Sequence, residues 1–313
     1  MSLPEQPPDG FLIGHWTDRV GRTGCTAVIA PPGARGGVDV RGGGPGTRET
    51  DVIAPLAGTT DVTAVCLSGG SAFGLAAADG VVRWCEESGR GHETPAGLVP
   101  IVPAAVIYDL ATGDPAARPD AAAGYAACEA ASQAVPERGQ VGAGTGAAVG
   151  KIAGRERGTP TGVGYAAART GLGHRVAALA VVNAFGDVIG DDGRVLAGLR
   201  APDADASTAA TIAAMTELPD WRGLEERNTT LVCVITDAPL DKATCTRTAR
   251  MASAGVARAV DPVFSDVDGD VAFCIASGPP PGADPDANRF IALSVGTLAA
   301  TLTAAAIRDS AAA

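Results

Sequence analysis

Three uninterrupted apolar runs constrain the fold of this chain most strongly. They span Arg175–Asn183, residues 230–236 and Val271–Ala276. Each has the length and apolar character of a β-strand in a protein core. Shorter runs that also predict strands lie at residues 25–30, 62–67, 104–110 and 158–167. Because helical segments and glycine-rich turns separate these runs, the sequence predicts a mixed α/β protein built in layers.

Helical segments and their capping residues complete the expected elements. Helices are expected over residues 72–87, 120–133, 240–260 and 289–308. Ser71 is the expected N-cap of the first. Residues 33–37 are expected to form a turn and residues 41–50 a glycine loop. A further helix near residues 207–218 lies inside an acidic, Ala/Pro-rich stretch of residues 201–228. This stretch indicates an exposed connection that ends where a buried strand begins.

The composition describes a core made of small side chains. Of the 313 residues, 46% are hydrophobic, only 4% are aromatic and 42 are glycine. The seven cysteines include no Cys-x-x-Cys pair, and several lie in apolar runs, so we expect buried free thiols in a reducing compartment. No signal peptide and no membrane span of about 20 apolar residues is evident. We therefore expect a cytoplasmic protein without a membrane partner.

Charge and histidine content argue against several functions. The net charge of −11 makes nucleic acid a poor partner, because phosphate neutralisation needs clustered Lys and Arg. The glycine-rich run 141–151 matches neither the P-loop nor the dinucleotide motif, so no nucleotide cofactor is expected. The three histidines form no metal-ligand pattern and give little support to a Ser-His-Asp triad. A hydrolase of this sequence needs another base, and we expect no metal.

Two polar segments stand immediately before core strands. In the first, Asn228, Thr229 and Thr230 precede a buried run, and in the second, Asp268 and Asp270 flank a glycine before another. Taken alone, the first is typical of an ordinary strand start and the second of a turn or weak calcium loop. A hydroxyl and two carboxylates can meet, however, if the two strands are neighbours.

Together with these segments, other motifs make the sequence resemble a known family. From Gly14 to about Ala304 it resembles the L-aminopeptidase/D-esterase (DmpA) family of N-terminal-nucleophile hydrolases. Within that family it is most similar to the 6-aminohexanoate oligomer (nylon oligomer) hydrolases. The motifs that carry the resemblance, besides the two polar segments, are residues 41–50, 67–74, 105–109, 142–151 and 181–186.

The resemblance implies a fold and a processing event. The fold would be a layered αββα sandwich, also found in ornithine acetyltransferase-like proteins. Residues 1–313 would form a single hydrolase domain that cleaves itself between Asn228 and Thr229 into residues 1–228 and 229–313. The cleaved heterodimers would assemble as a homotetramer.

The resemblance also implies roles for individual residues. Thr229 would be the nucleophile, with Asp268 and Asp270 orienting it. Lys151 matches a lysine of the nylon-oligomer branch. Asn183 would stabilise the oxyanion, and Tyr108 would line the substrate pocket. Substrates would be small peptides or 6-aminohexanoate-type oligomers, and no cofactor is implied.

Elementary acid–base chemistry supports an N-terminal threonine. A free α-amine has an ordinary pKa of about 7.7–8.0, against about 10.4 for lysine, so it is the better resting base near neutral pH. Before cleavage the base must be another group, with Lys151 or an aspartate as candidates. Three of the implied site residues also have a purely structural interpretation. Lys151 could be a loop lysine in solvent, Asn183 a strand-end residue with satisfied hydrogen bonds, and Tyr108 a core tyrosine with a bonded hydroxyl.

Two other functions are compatible with these residues. The first is acyl transfer as in ornithine acetyltransferase, although the Ala-Thr-Met-Leu junction usual in that family is absent here. The second is a non-catalytic binding or assembly protein that keeps the fold without processing.

Overall fold

Two five-stranded β-sheets form the framework of the protein. The structure is a computed structural model that describes residues 5–200, 208–209, 211–217 and 227–312. Strands are numbered in chain order. The first sheet has the order β1 (Leu12–Asp18), β2 (Thr23–Ile29), β5 (Ala64–Ser68), β8 (Ala104–Val106) and β4 (Thr47–Arg48). In the second, the order is β11 (Val163–Arg169), β12 (Arg175–Asn183), β17 (Thr229–Thr236), β19 (Val271–Ala276) and β3 (Arg35–Val40).

The remaining elements are helices and short strands. The helices are α1 (Ala77–Glu87), α2 (Ala121–Glu129), α3 (Thr211–Glu217), α4 (Lys242–Val256) and α5 (Pro285–Ser310). The short strands are β6 (His92–Thr94), β7 (Gly97–Val99), β9 (Ala148–Val149), β10 (Thr159–Pro160), β13 (Asp187–Ile189), β14 (Val195–Ala197), β15 (Leu199–Arg200), β16 (Thr208–Ala209) and β18 (Val260–Asp261). Of the helix predicted near residues 207–218, the structure contains α3, and part of that range lies outside the described residues.

The apolar runs are explained by burial of the second sheet on both faces. In β17, Leu231, Cys233 and Ile235 belong to the core between the two sheets. The alternating residues Val232 and Val234 belong to the core beneath α4 and α5. Since side chains alternate across a strand, a strand covered on both faces is apolar at every position.

Helices cover the outer faces of both sheets. The first sheet packs against α1 and α2 through a third core that includes Cys25, Cys66 and Val81. The second sheet packs against α4 and α5. The order helix, sheet, sheet, helix confirms the predicted αββα sandwich. All seven cysteines are buried, as expected from the runs that contain them.

The start of the first long helix differs from the prediction. Ser71 has a left-handed backbone (φ 53°) and opens a 3-10 helix, Ser71–Ala76, so α1 begins only at Ala77. Ser71 makes no capping hydrogen bond there, whereas the Asp241 carboxylate caps α4 by accepting from the Thr244 N–H (2.7 Å). The strained turn instead lies beside the end of β8, where the Ser71 N–H donates to the Ile107 carbonyl (2.9 Å).

The expected turn before the second sheet was wrong. The predicted turn at residues 33–37 lies largely within β3, because Gly36 and Gly37 leave space for neighbouring groups and do not break the strand. Among the described residues, helix α5 is long and apolar enough, by length and composition alone, to cross a membrane. Half of its most apolar part is buried inside the fold, where the helix packs on the second sheet.

Candidate active site

Strand directions bring the two polar segments to one edge of the second sheet. Strands β17 and β19 are parallel, so both begin at this edge, and a bridge pairs Asn228 with Asp268 just before them. Strand β12 is antiparallel to β17 and ends at the same edge, where Asn183 pairs with Thr229. The neighbouring strands that the sequence analysis required are therefore present.

Backbone donors hold both carboxylates of the Asp-Gly-Asp segment. Asp268 is buried and accepts hydrogen bonds from the backbone N–H groups of Phe185 (3.1 Å) and Ser265 (3.1 Å). Asp270 is also buried, and its Oδ1 accepts from the N–H of Thr230, the residue after the predicted nucleophile, at 2.5 Å. The two carboxylates are thus part of the wall around the start of β17.

Burial, together with the nearby negative charge of Asp268, raises the pKa of Asp270 to about 7. Hydrogen bonds from the Thr230 and Phe264 N–H groups partly oppose this shift. A carboxyl group with a pKa near neutrality exchanges a proton readily at physiological pH, which is the property expected of a general acid or base.

The carbonyl group between Asn228 and Thr229 is surrounded by donors. Its oxygen accepts a hydrogen bond from the Gly269 N–H (2.8 Å) and another from the Thr229 hydroxyl. Gly269 also lies against that hydroxyl, because a Cβ added at this position would be 2.9 Å from the Thr229 Oγ1. The hydroxyl and the carbonyl that it would attack are therefore already in contact.

A second set of polar residues lies together at the end of β12. The Asn183 side-chain oxygen accepts from the Lys151 ammonium (2.9 Å) and the Ala148 N–H (3.2 Å), while its amide nitrogen donates to the Tyr108 carbonyl (3.1 Å). Lys151 is completely buried and also donates to the Asn183 backbone carbonyl (3.0 Å). The alternative of a solvated loop lysine is therefore wrong, and the lysine instead orients Asn183.

Arg155 belongs to this group, although the sequence analysis did not single it out. Its guanidinium donates to the Tyr108 carbonyl (3.1 Å), the Gly146 carbonyl (3.3 Å) and the Asn183 side-chain oxygen (3.5 Å). Arg155 stands in an Arg-Glu-Arg segment that reads as an exposed turn. No motif in the sequence signals that this segment returns to the site.

A cavity of about 420 Å³ opens beside Thr229. Tyr108 lines it, as the resemblance implied, and Thr229 and Asn228 form part of its wall. The glycine loop supplies another part, since residues 43–46 border the cavity and the Gly44 N–H is bonded to the Asp268 carbonyl (2.8 Å). The structure thus places every residue singled out from the sequence around one site: Thr229, Asn228, Asp268, Asp270, Lys151, Asn183 and Tyr108.

Comparison with known families shows which family the chain matches. Residues 9–312 match the model of Peptidase family S58. An uncharacterized aminopeptidase of Mycobacterium tuberculosis (strain ATCC 25618 / H37Rv) is 42% identical over 312 residues, covering 96% of this chain and 85% of the relative. A 6-aminohexanoate-oligomer endohydrolase of Paenarthrobacter ureafaciens is 31% identical over 275 residues, covering 86% and 73%.

Solved structures of low sequence identity share the fold. An L-aminopeptidase D-Ala-esterase/amidase from Ochrobactrum anthropi, described as a variant of the Ntn hydrolase fold, superposes with a TM-score of 0.70 at 18% identity, covering 99% of this chain and 88% of the other. A Burkholderia sp. beta-aminopeptidase gives a TM-score of 0.69 at 20% identity, with the same coverage.

The fold and the family match together define the class of protein, which is a hydrolase with the architecture of the N-terminal-nucleophile enzymes. This chain belongs to Peptidase family S58, and the resemblance to the L-aminopeptidase/D-esterase family is confirmed.

Proposed function

We propose that the chain cleaves itself between Asn228 and Thr229 and then hydrolyses amide bonds with Thr229 as an N-terminal nucleophile. The observation that carries this proposal is the contact of the Thr229 hydroxyl with the Asn228 carbonyl, whose oxygen also receives the Gly269 N–H. This geometry supports an attack of the hydroxyl on the preceding carbonyl, with the Gly269 N–H stabilising the oxyanion that forms.

The cleavage proceeds by an acyl shift. The Thr229 hydroxyl oxygen bonds to the Asn228 carbonyl carbon, the C–N bond breaks, and the hydroxyl proton goes to the leaving nitrogen through a base. The product is an ester between Asn228 and the Thr229 side chain. Water hydrolyses this ester, leaving a carboxylate on Asn228 and a free amine and hydroxyl on Thr229. Asp270 is a suitable proton carrier because its pKa is raised towards neutrality.

After cleavage the roles are divided among the groups at this edge. The Thr229 α-amine takes the hydroxyl proton when that hydroxyl attacks the substrate carbonyl. Asp268 and Asp270 supply negative charge at this edge of the sheet and stabilise the new ammonium group. Lys151 holds the Asn183 oxygen, and one N–H of the Asn183 amide donates to the Tyr108 carbonyl, so its second N–H is the donor for the oxyanion of the substrate.

The proposed substrates are small peptides or 6-aminohexanoate-type oligomers. The names of the aminopeptidase and endohydrolase relatives support amides of amino acids, and the cavity beside Thr229 has room for a short chain. We further propose, from the family resemblance, a cytoplasmic homotetramer of cleaved heterodimers.

Intact-mass measurement of the purified protein tests the proposal. The expected result is two fragments, residues 1–228 and 229–313, and hydrolysis of aminoacyl p-nitroanilides. Thr229→Ala is expected to give one uncleaved chain without activity. An uncleaved parent protein that still hydrolyses amides would exclude Thr229 as an N-terminal nucleophile. An added amine acceptor that diverts most of the product into a new amide would favour acyl transfer instead.

A further inference from the structure

The cavity beside Thr229 has mixed polar and apolar walls and few charges. Five apolar residues line it: Pro45, Ala72, Val106, Ile107 and Val267. Among its described lining residues, only Arg227 and Asp266 are charged. A cavity that combines apolar residues with a charged group fits a ligand that carries the opposite charge on an aliphatic chain.

Arg227 and Asp266 differ in their relation to the cleavage site. Arg227 precedes Asn228, so it lies on the fragment whose end is released by cleavage. Asp266 belongs to the same fragment as Thr229 and is held on a backbone that the glycine loop supports. The Gly43 N–H donates to the Ser265 carbonyl (3.2 Å), and a Cβ added at Gly43 would be 2.7 Å from the Asp266 Cα.

The Asp266 carboxylate has no structural task that the described part of the chain reveals. Asp268 and Asp270 each accept two or more hydrogen bonds. No hydrogen bond or ion pair joins the Asp266 side chain to another described residue, and Asp266 is exposed at the cavity. A carboxylate that stands on a supported backbone and is available to a ligand is suited to binding a cation.

We propose that Asp266 binds a primary ammonium group on the acyl part of the substrate. Substrates are then amides of amino acids whose aliphatic chain lies in the cavity against its apolar residues, with the reacting carbonyl at Thr229 and the ammonium group at Asp266. This assignment rests on the proposed function, because it gives the specificity of the same site. The carboxylate acts by attraction and not on the reacting atoms, so it is a specificity residue.

The test compares two anilides of equal chain length on the self-cleaved enzyme: 6-aminohexanoyl p-nitroanilide and hexanoyl p-nitroanilide. The parent enzyme is expected to prefer the amine-bearing substrate. Asp266→Asn is expected to lower this preference about fivefold, mainly through a higher KM, since exposed ion pairs are weak. Asp266→Glu should retain most of the preference. Asp286→Asn, which removes an exposed carboxylate from the first turn of α5, is the charge-matched control and should keep the parental ratio.

Salt provides a second readout, because the attraction of an exposed carboxylate is screened. The parental preference for the amine should fall with added salt, and that of Asp266→Asn should change little. A cleaved, active Asp266→Asn enzyme with the parental ratio of kcat/KM would overturn the assignment of Asp266 alone. A parent protein that stays uncleaved and inert on both anilides would overturn the proposed function instead.

Discussion

At the scale of single residues, Gly269 lies where no side chain fits. A Cβ there would be 2.7 Å from the Gly44 carbonyl oxygen and 2.9 Å from the Thr229 Oγ1. Gly269→Ala is therefore expected to displace the hydroxyl from the Asn228 carbonyl and to slow self-cleavage at least about tenfold, because small displacements of reacting atoms are costly. The measurement is the fraction of cleaved chain against time by mass spectrometry.

A matched glycine provides the control for this prediction. Gly171 has nothing within 4 Å of its added Cβ, so Gly171→Ala should cleave as the parent does. Parental cleavage by Gly269→Ala would show that the contact between Gly269 and the hydroxyl is unimportant.

Lys151 and Lys242 allow two buried lysines to be compared. Lys151 donates to Asn183 at the site. Lys242 instead donates to the carbonyls of Val52 (3.0 Å) and Ala57 (2.9 Å), which are not among the proposed catalytic residues. Lys151→Met is expected to lower kcat about 10²-fold, because the Asn183 amide loses the partner that orients it. Steady-state kinetics on a p-nitroanilide substrate measure this loss.

Lys242→Met serves as the comparison. It should keep near-parental kcat and lose about 1–3 kcal/mol of stability through its unpaired carbonyls. If both variants lose only stability, Lys151 has no role in turnover.

At the scale of elements, the position of α4 depends on a glycine in β3. A Cβ at Gly37 would be 2.2 Å from the Thr246 backbone nitrogen in α4. Gly37→Ala therefore has to push the helix off the sheet, and we expect a loss of about 1–3 kcal/mol. Urea unfolding in an uncleavable Thr229→Ala background measures the loss. Gly58→Ala is the control, because nothing lies within 4 Å of its added Cβ.

At the scale of the whole molecule, strands from both expected fragments form the second sheet. The small fragment supplies β17 and β19, and the large fragment supplies β12 and β3 on either side of them. The cleaved protein should therefore elute as one species from gel filtration, and its fragments should separate only in denaturant. Separation of the fragments in ordinary buffer would contradict this topology.

Buried carboxyl groups should make the stability of the molecule fall as the pH rises. Burial raises the pKa values of Asp109 and Asp187 and raises that of Asp270 to about 7. Such a group loses its proton near pH 4 when unfolded but keeps it to higher pH when folded, so stability present below pH 4 is lost between about pH 4 and about pH 7. Burial lowers the pKa of His15 to about 4, which acts in the opposite direction.

A double variant isolates the contribution of Asp270. Thr229→Ala and Thr229→Ala/Asp270→Asn are compared by urea unfolding at about pH 4.5 and about pH 7.5. The difference in free energy of unfolding, double variant minus single variant, should be about 2 kcal/mol or more larger at the higher pH than at the lower one. A difference that does not change with pH would show that Asp270 is ionised throughout this range.

Much of the site was open to prediction from the sequence because its signals are local. The runs that became β12, β17 and β19 have apolar interiors, and the polar residues at their ends stand out against them. Asn228, Thr229, Asp268 and Asp270 were therefore singled out directly from the chain. Asn183 also ends such a run, but its role depended on the family resemblance. Lys151 and Tyr108 carry no such local signal and depended on the resemblance altogether.

What the sequence determined by itself was the set of buried strands and the chemistry at their ends, because burial and residue type are encoded position by position. Only the tertiary structure decided that Lys151 is fully buried against Asn183, that Arg155 returns to the site, and that residues 33–37 lie largely within a strand beside α4. Each of these depends on contacts between segments distant in sequence, where packing decides whether a polar side chain faces solvent or a partner.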